Sequence, residues 1–112
     1  MGTWGIEPWE NDSAADWLAE MFEKTKLDDF IEKTLSLDSS DYYEEIRAAS
    51  MVLIELGRKG VWPFEKLDCH LELAIAKLEE ILGNSSCPVN ESKEIVAAIT
   101  KEIQCLKARL VE

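Results

Sequence analysis

The chain has 112 residues, 46% of them hydrophobic and 31% charged, and its net charge is −11. A chain of this length forms one domain and buries roughly two-thirds of its unfolded surface, so its core needs no metal or disulfide staple. The composition excludes a disordered chain, no apolar run approaches the roughly 20 residues of a membrane span, and the excess of acid leaves no basic stripe for nucleic acid or an anionic membrane surface.

The charge is lopsided. Residues 1–50 hold thirteen acids against four bases, a balance of −9, whereas residues 51–112 hold ten against eight, a balance of −2. The first residues are too polar and acidic for a signal or transit peptide, and Ile6 stands where N-myristoylation asks for Ser or Thr, so a cytoplasmic protein is expected. Cys69, Cys87 and Cys105 are odd in number and lack zinc-ribbon or C-x-x-C spacing, which fits reduced thiols.

Gly2 to Glu20 carries three tryptophans and five carboxylates. Gly2, Gly5 and Pro8 limit regular structure, so residues 1–11 read as an extended arm, with helices from residue 12 onward. In the first helix Ala14, Trp17, Leu18, Met21 and Phe22 share one side, and Asp12, Asp16, Glu20 and Glu23 share the other. Ser13 with Asp16 fits a capping box. A short second helix turns Leu27, Phe30, Ile31, Thr34 and Leu35 inward and Asp28, Asp29 and Glu32 outward, with Thr25 and Asp28 as its cap.

The third helix starts near Asp41 and Glu44 and ends at Gly57. Tyr42, Ile46, Ala49, Leu53 and Leu56 define its main face, yet Ala48, Met51 and Val52 make it apolar nearly all round, so it is expected at the centre of the fold. Gly57, Gly60 and Pro63 then break the chain, while Val61, Trp62 and Phe64 still need a packing site. A fourth helix runs from about Phe64 to Leu82 and closes at Gly83, its inner face being Leu67, Leu71, Ala74, Ile75, Leu78, Ile81 and Leu82. The last helix, from about Asn90 to Leu110, shows the narrower stripe Ile95, Ile99, Ile103, Leu106 and Leu110, which suits a peripheral helix or a seam against a second copy. Together these elements predict a single all-α domain, a bundle of about five helices with the Trp-rich arm packed on it.

The opening resembles an uncharacterised bacterial family whose domains begin roughly G-x-W-G-x-G-x-F-x-N-D-x-A-x-D-W. The matching residues are Gly2, Trp4, Gly5, Pro8, Asn11, Asp12, Ala15, Asp16 and Trp17, with Trp9 in the aromatic place and Glu7 where the pattern has Gly. The likeness extends through "EEIRAASMVLIELGRKGVWP" into "LELAIAKLEEIL" and covers much of residues 1–82. It implies a helical fold and, since the family is a domain of unknown function, no activity.

Two chemistries compete for the N-terminal residues. Trp4, Trp9, Asn11, Asp12 and Trp17 read first as structure: a lid of rings over the core, with indole N–H groups held by nearby carboxylates and the first helix capped by Asn11, Asp12 or Ser13. The rival is a metal-dependent hydrolase using Asp12, Asp16 and His70, since i,i+4 carboxylates share a helix face. His70, on the border of its helix's apolar face, reads as a packed or half-exposed residue rather than a ligand. Nothing in the sequence calls for a cofactor: nucleophile motifs, phosphate loops, dinucleotide fingerprints and zinc spacings are absent. The best functional surface is the acidic ridge Asp16, Glu20, Glu23, Asp28, Asp29 and Glu32. It suits a non-catalytic, inhibitor- or immunity-like protein that captures a basic partner. A third reading is self-association, as a homodimer through the C-terminal helix.

Overall fold

A computed structural model describes residues 4–112; Gly2 of the N-terminal pattern lies outside the described residues. Five α-helices follow one another: α1 (Asp12–Thr25), α2 (Leu27–Leu35), α3 (Tyr43–Leu56), α4 (Phe64–Gly83) and α5 (Lys93–Leu110), with a 3-10 turn at Pro88–Glu91 before α5. The fold is all-α, as the periodicities required.

The helix ends follow local chemistry. Asn11 caps α1, its side chain accepting from the Ala14 N–H at 2.8 Å, so Ser13 lies inside the helix instead of capping it. Ser92 caps α5 in the same way through the Ile95 N–H, after Pro88 has set the preceding turn. Between α1 and α2 there is one residue, Lys26, in the left-handed region at φ 56°. It ends α1 by donating its N–H to the Phe22 carbonyl, and Thr25 Oγ1 accepts from the Leu27 N–H.

The centre of the fold is α4, not α3. Leu67, His70, Leu71, Ala74, Ile75, Leu78 and Ile81 are all buried along its 20 residues, and it packs against α2, α3 and α5. α3 buries one stripe, Ile46, Ala49, Ser50 and Leu53, against that helix. Its second apolar side is left open: Ala48 is exposed, Met51 is 53% exposed, and both line a groove of about 460 Å³ between α3 and α5. All-round apolarity thus reflects a buried stripe plus a groove wall. Arg47 reaches across this groove to Glu102 with two hydrogen bonds of 3.0 and 2.7 Å, and Arg109 donates to the Ile54 carbonyl, so α3 and α5 run in the same direction. The stripe of α5 is taken up inside the chain, where Ile99, Ile103 and Leu106 are buried.

α1 is the exception to helix-on-helix packing. Only Phe22 is buried on it, set edge-on against Trp62 with ring centroids 5.0 Å apart. Its apolar side lies over the 57–63 connection, where Val61 and Trp62 form a ridge one chain wide. The molecule is accordingly long, 54 × 25 × 18 Å. Several residues expected inside are outside: Tyr42 and Leu56 at the two ends of α3 are exposed, and Phe30 is 66% and Phe64 80% exposed, because Ile31, Leu35 and Leu67 already fill the contact between α2 and α4.

If α4 is the centre, truncating it is costly and truncating the open side of α3 is not. Leu78→Ala should lose about 2–5 kcal/mol of unfolding free energy, the usual range for a fully buried leucine. Met51→Ala should stay within about 1 kcal/mol, since half of that side chain is already in water. Urea unfolding of both variants decides, and equal losses would return α3 to the centre.

Candidate functional site

The densest polar arrangement is built around His70, which is fully buried. Its Nδ1 accepts from the Trp62 indole N–H at 3.1 Å, and its Nε2 lies 2.8 Å from Glu32 Oε1. An indole nitrogen only donates, so Nδ1 carries the lone pair and Nε2–H donates to the carboxylate. The three groups come from three places: α2, the α3–α4 connection and α4. Each donor has an acceptor, and among the described residues no buried side-chain polar atom is left without a partner.

One helical turn before His70, Lys66 holds two carboxylates at 2.9 Å each, Asp28 Oδ2 and Asp29 Oδ1. The Asp28 side chain is only 9% exposed, so this acid faces inward and not outward as its helix pattern suggested. Hydrogen bonding and charge from Lys66 hold the Asp29 carboxyl below its ordinary value of 3.8, and the two aspartates push the Lys66 ammonium well above its usual range. Asp28, Asp29 and Glu32 thus tie α2 to α4. The other three ridge acids differ: Asp16, Glu20 and Glu23 are exposed on α1, and Glu20 makes only a solvent-facing i,i+4 pair with Lys24.

The N-terminal tryptophans separate into different roles. The residues before α1 fold back on themselves, the Trp4 N–H donating to the Glu10 carbonyl and the Glu10 N–H to the Glu7 carbonyl. Among the described non-glycine residues only Lys26 has positive φ, so Glu7 does not take the left-handed conformation that would favour Gly at its position. Trp4 is 55% exposed, its indole donating to Asp12 Oδ1 at 3.1 Å, which realises the expected carboxylate tie at a surface position. Trp9 is half-buried and packs on the 57–63 connection rather than over the core. It lies against Gly60, where a Cβ would come within 2.8 Å of its ring, and the Arg58 guanidinium stands 5.0 Å from its centroid. Trp17 is 64% exposed and covers no core, a correction to its placement on a buried face. The reason is the narrow ridge beneath α1, which leaves an open cleft on each side.

The larger cleft, about 680 Å³, has Trp9, Trp17, Pro8 and Leu18 with Leu56 and Val61 as its walls and Glu7, Glu55 and Arg58 at its edges. The smaller, about 450 Å³, lies toward Trp62, Pro63 and Lys66. The hydrolase set does not assemble: His70 has both ring nitrogens engaged, Asp12 holds Trp4, and among the described residues no three His, Cys, Asp or Glu side chains are placed to hold a metal ion. Cys69 and Cys105 are exposed and Cys87 is buried, all as free thiols. No described helix is long and apolar enough to cross a membrane.

Against known proteins, the chain matches the family described as Domain of unknown function (DUF4259) over residues 2–105. It belongs to that family. The match takes in the N-terminal tryptophans, the His70 cluster and α5 as far as Cys105. No curated protein and no solved structure matches the chain.

Family membership brings no chemistry, so the cluster's role has to come from its geometry. Its signal in the sequence was faint: the pattern puts His70 on the border of the apolar face of α4, packed or half-exposed, whereas the structure buries it fully. Glu32, 38 residues earlier, carried no mark of its partnership. His70→Leu should cost about 1–3 kcal/mol by orphaning the buried indole N–H alone, and an unchanged urea midpoint would show that the cluster contributes nothing. On the acid side, the stability due to the Asp29 pairing is present above pH 3.8 and is lost as pH falls through the lowered folded value. Lys66→Met should therefore lower the melting temperature at neutral pH and flatten its further fall below about pH 4. An acid limb unchanged from the wild type would refute the pairing.

Proposed function

We propose that the domain is a non-catalytic, cytoplasmic binding protein whose partner is a basic protein, in the manner of a small acidic inhibitor or immunity protein. The observation that carries this reading is the outer edge of α1, where Asp16, Glu20 and Glu23 face solvent directly beside the exposed Trp17. Of the ridge acids, these three have no structural duty inside the fold. Asp28, Asp29 and Glu32 are engaged with Lys66 and His70, and they contribute to the field rather than to contact.

Two physical effects support it. A dense patch of one sign accelerates encounter with an oppositely charged partner, and most of the −11 charge lies in the half of the chain that contains α1. An exposed tryptophan beside that patch supplies the large apolar area that dominates binding energy once encounter has occurred. A homodimer through α5 has less support, since the stripe that would make the seam is already buried against the rest of the chain.

The test is affinity capture from the native host's lysate with washes of rising salt, run in parallel on wild type and on Asp16→Asn/Glu20→Gln/Glu23→Gln. Each change should be within about 0.5 kcal/mol of neutral for folding. The wild type should retain a basic protein that salt elutes, and the triple variant should lose it. Equal recovery by both, or recovery indifferent to salt, would overturn the reading.

A further inference from the structure

We infer that the larger cleft beside α1 is the seat of one cationic side chain, an arginine or lysine carried by a basic segment of the partner, with Trp17 as its aromatic platform. This rests on the reading that the partner is basic and adds where and how it is gripped.

The cleft already holds one example of the contact it is built to make. Arg58 lies over the Trp9 face at 5.0 Å and anchors itself by donating to the Glu55 carbonyl at 3.3 Å. An aromatic ring presents negative charge on its face, so a guanidinium or ammonium there is attracted, by more as water is excluded. Trp17 lines the same cleft, is 64% exposed, and among the described residues carries neither a cation nor a stacked ring. The chain has used one of two tryptophan faces for its own arginine and left the other open.

Charge complementarity selects the occupant. Glu7 and Glu55 stand at the edges of the cleft, and among the described residues neither carboxylate has an ion-pair partner. Two carboxylates outnumber the one guanidinium of Arg58 in the lining, so the cleft still favours a cation, and Asp16 and Glu20 on the adjoining edge of α1 deepen the potential. A volume of about 680 Å³ falls within the usual range for a ligand pocket and admits a long side chain with the backbone that bears it. The apolar walls of Pro8, Leu18, Leu56 and Val61 suit the methylene stem, while the charged head meets Trp17 and the carboxylates.

The probe is an acetylated, amidated hexa-arginine peptide titrated into the full chain, read by calorimetry and tryptophan fluorescence at low and physiological salt. Trp17→Leu keeps apolar area and removes the ring; it should weaken binding about three- to thirty-fold, the fold-change of a partly desolvated cation–π contact. Trp17→Phe should recover part of that loss, which plain apolar packing would not require. Glu7→Gln with Glu55→Gln should weaken binding and reduce its salt dependence, whereas Trp4→Ala, outside the cleft, should leave the affinity unchanged. All four variants alter exposed side chains, so circular dichroism should show the wild-type fold.

If Trp17→Leu and the Glu7/Glu55 variant bind as wild type does, the cleft is not the seat. Should the α1 triple variant lose binding in that same experiment, the acidic-edge reading stands while this inference falls. If the wild type sediments as a dimer that Trp17→Leu dissolves, the cleft belongs to a second copy and the inference is overturned.

Discussion

The buried histidine at position 70 is the joint on which the rest of the molecule hangs. A core position that holds an imidazole must satisfy two nitrogens, and here it does so by recruiting an indole from the α3–α4 connection and a carboxylate from α2. That fixes where Trp62 lies. Trp62 in turn offers its edge to Phe22, the only buried residue of α1. The placement of the first helix therefore depends on a hydrogen bond made two elements away. Leaving any of these polar groups unpaired in the interior costs more than the net worth of the bond, which makes the arrangement specific as well as stable.

Laying a helix on a loop instead of on another helix has consequences for the surface. A helix face finds a groove in a neighbouring helix and buries a stripe roughly 100° wide. A single strand of chain supports only the middle of that stripe. Leu18 is half-buried over the ridge, and Trp17 overhangs it. The exposed tryptophan, the cleft beneath it and the free acidic edge beside it are three results of one packing arrangement. They put apolar area and negative charge together on the least anchored helix.

The acids of the first two helices look alike in sequence and do different work. On α2 they are drawn into the fold, because Lys66 and His70 of α4 come within reach and offer a cation and an N–H. On α1 Asp16, Glu20 and Glu23 stay exposed, so their charge remains on the surface. The groove between α3 and α5 has a related origin: α3 presents two apolar sides and α4 covers only one. The bidentate Arg47–Glu102 bridge then closes part of the other with a polar strap.

Much of the fold was legible in the chain itself. Helical spacing of Leu67, Leu71, Ala74, Leu78 and Ile81 marked α4, Gly57 and Gly83 marked helix ends, and the lack of strand patterning left an all-α bundle, because these signals are local and the backbone obeys them at once. What the sequence did not determine was which of two apolar helices would be central, whether Trp17 and Phe30 would find a surface to cover, and which carboxylates would turn inward. Periodicity says that a face is apolar, not that a partner face exists. Asp28 and Glu32 could be assigned only once Lys66 and His70, 38 residues away in each case, had been brought beside them by the packing of α2 on α4.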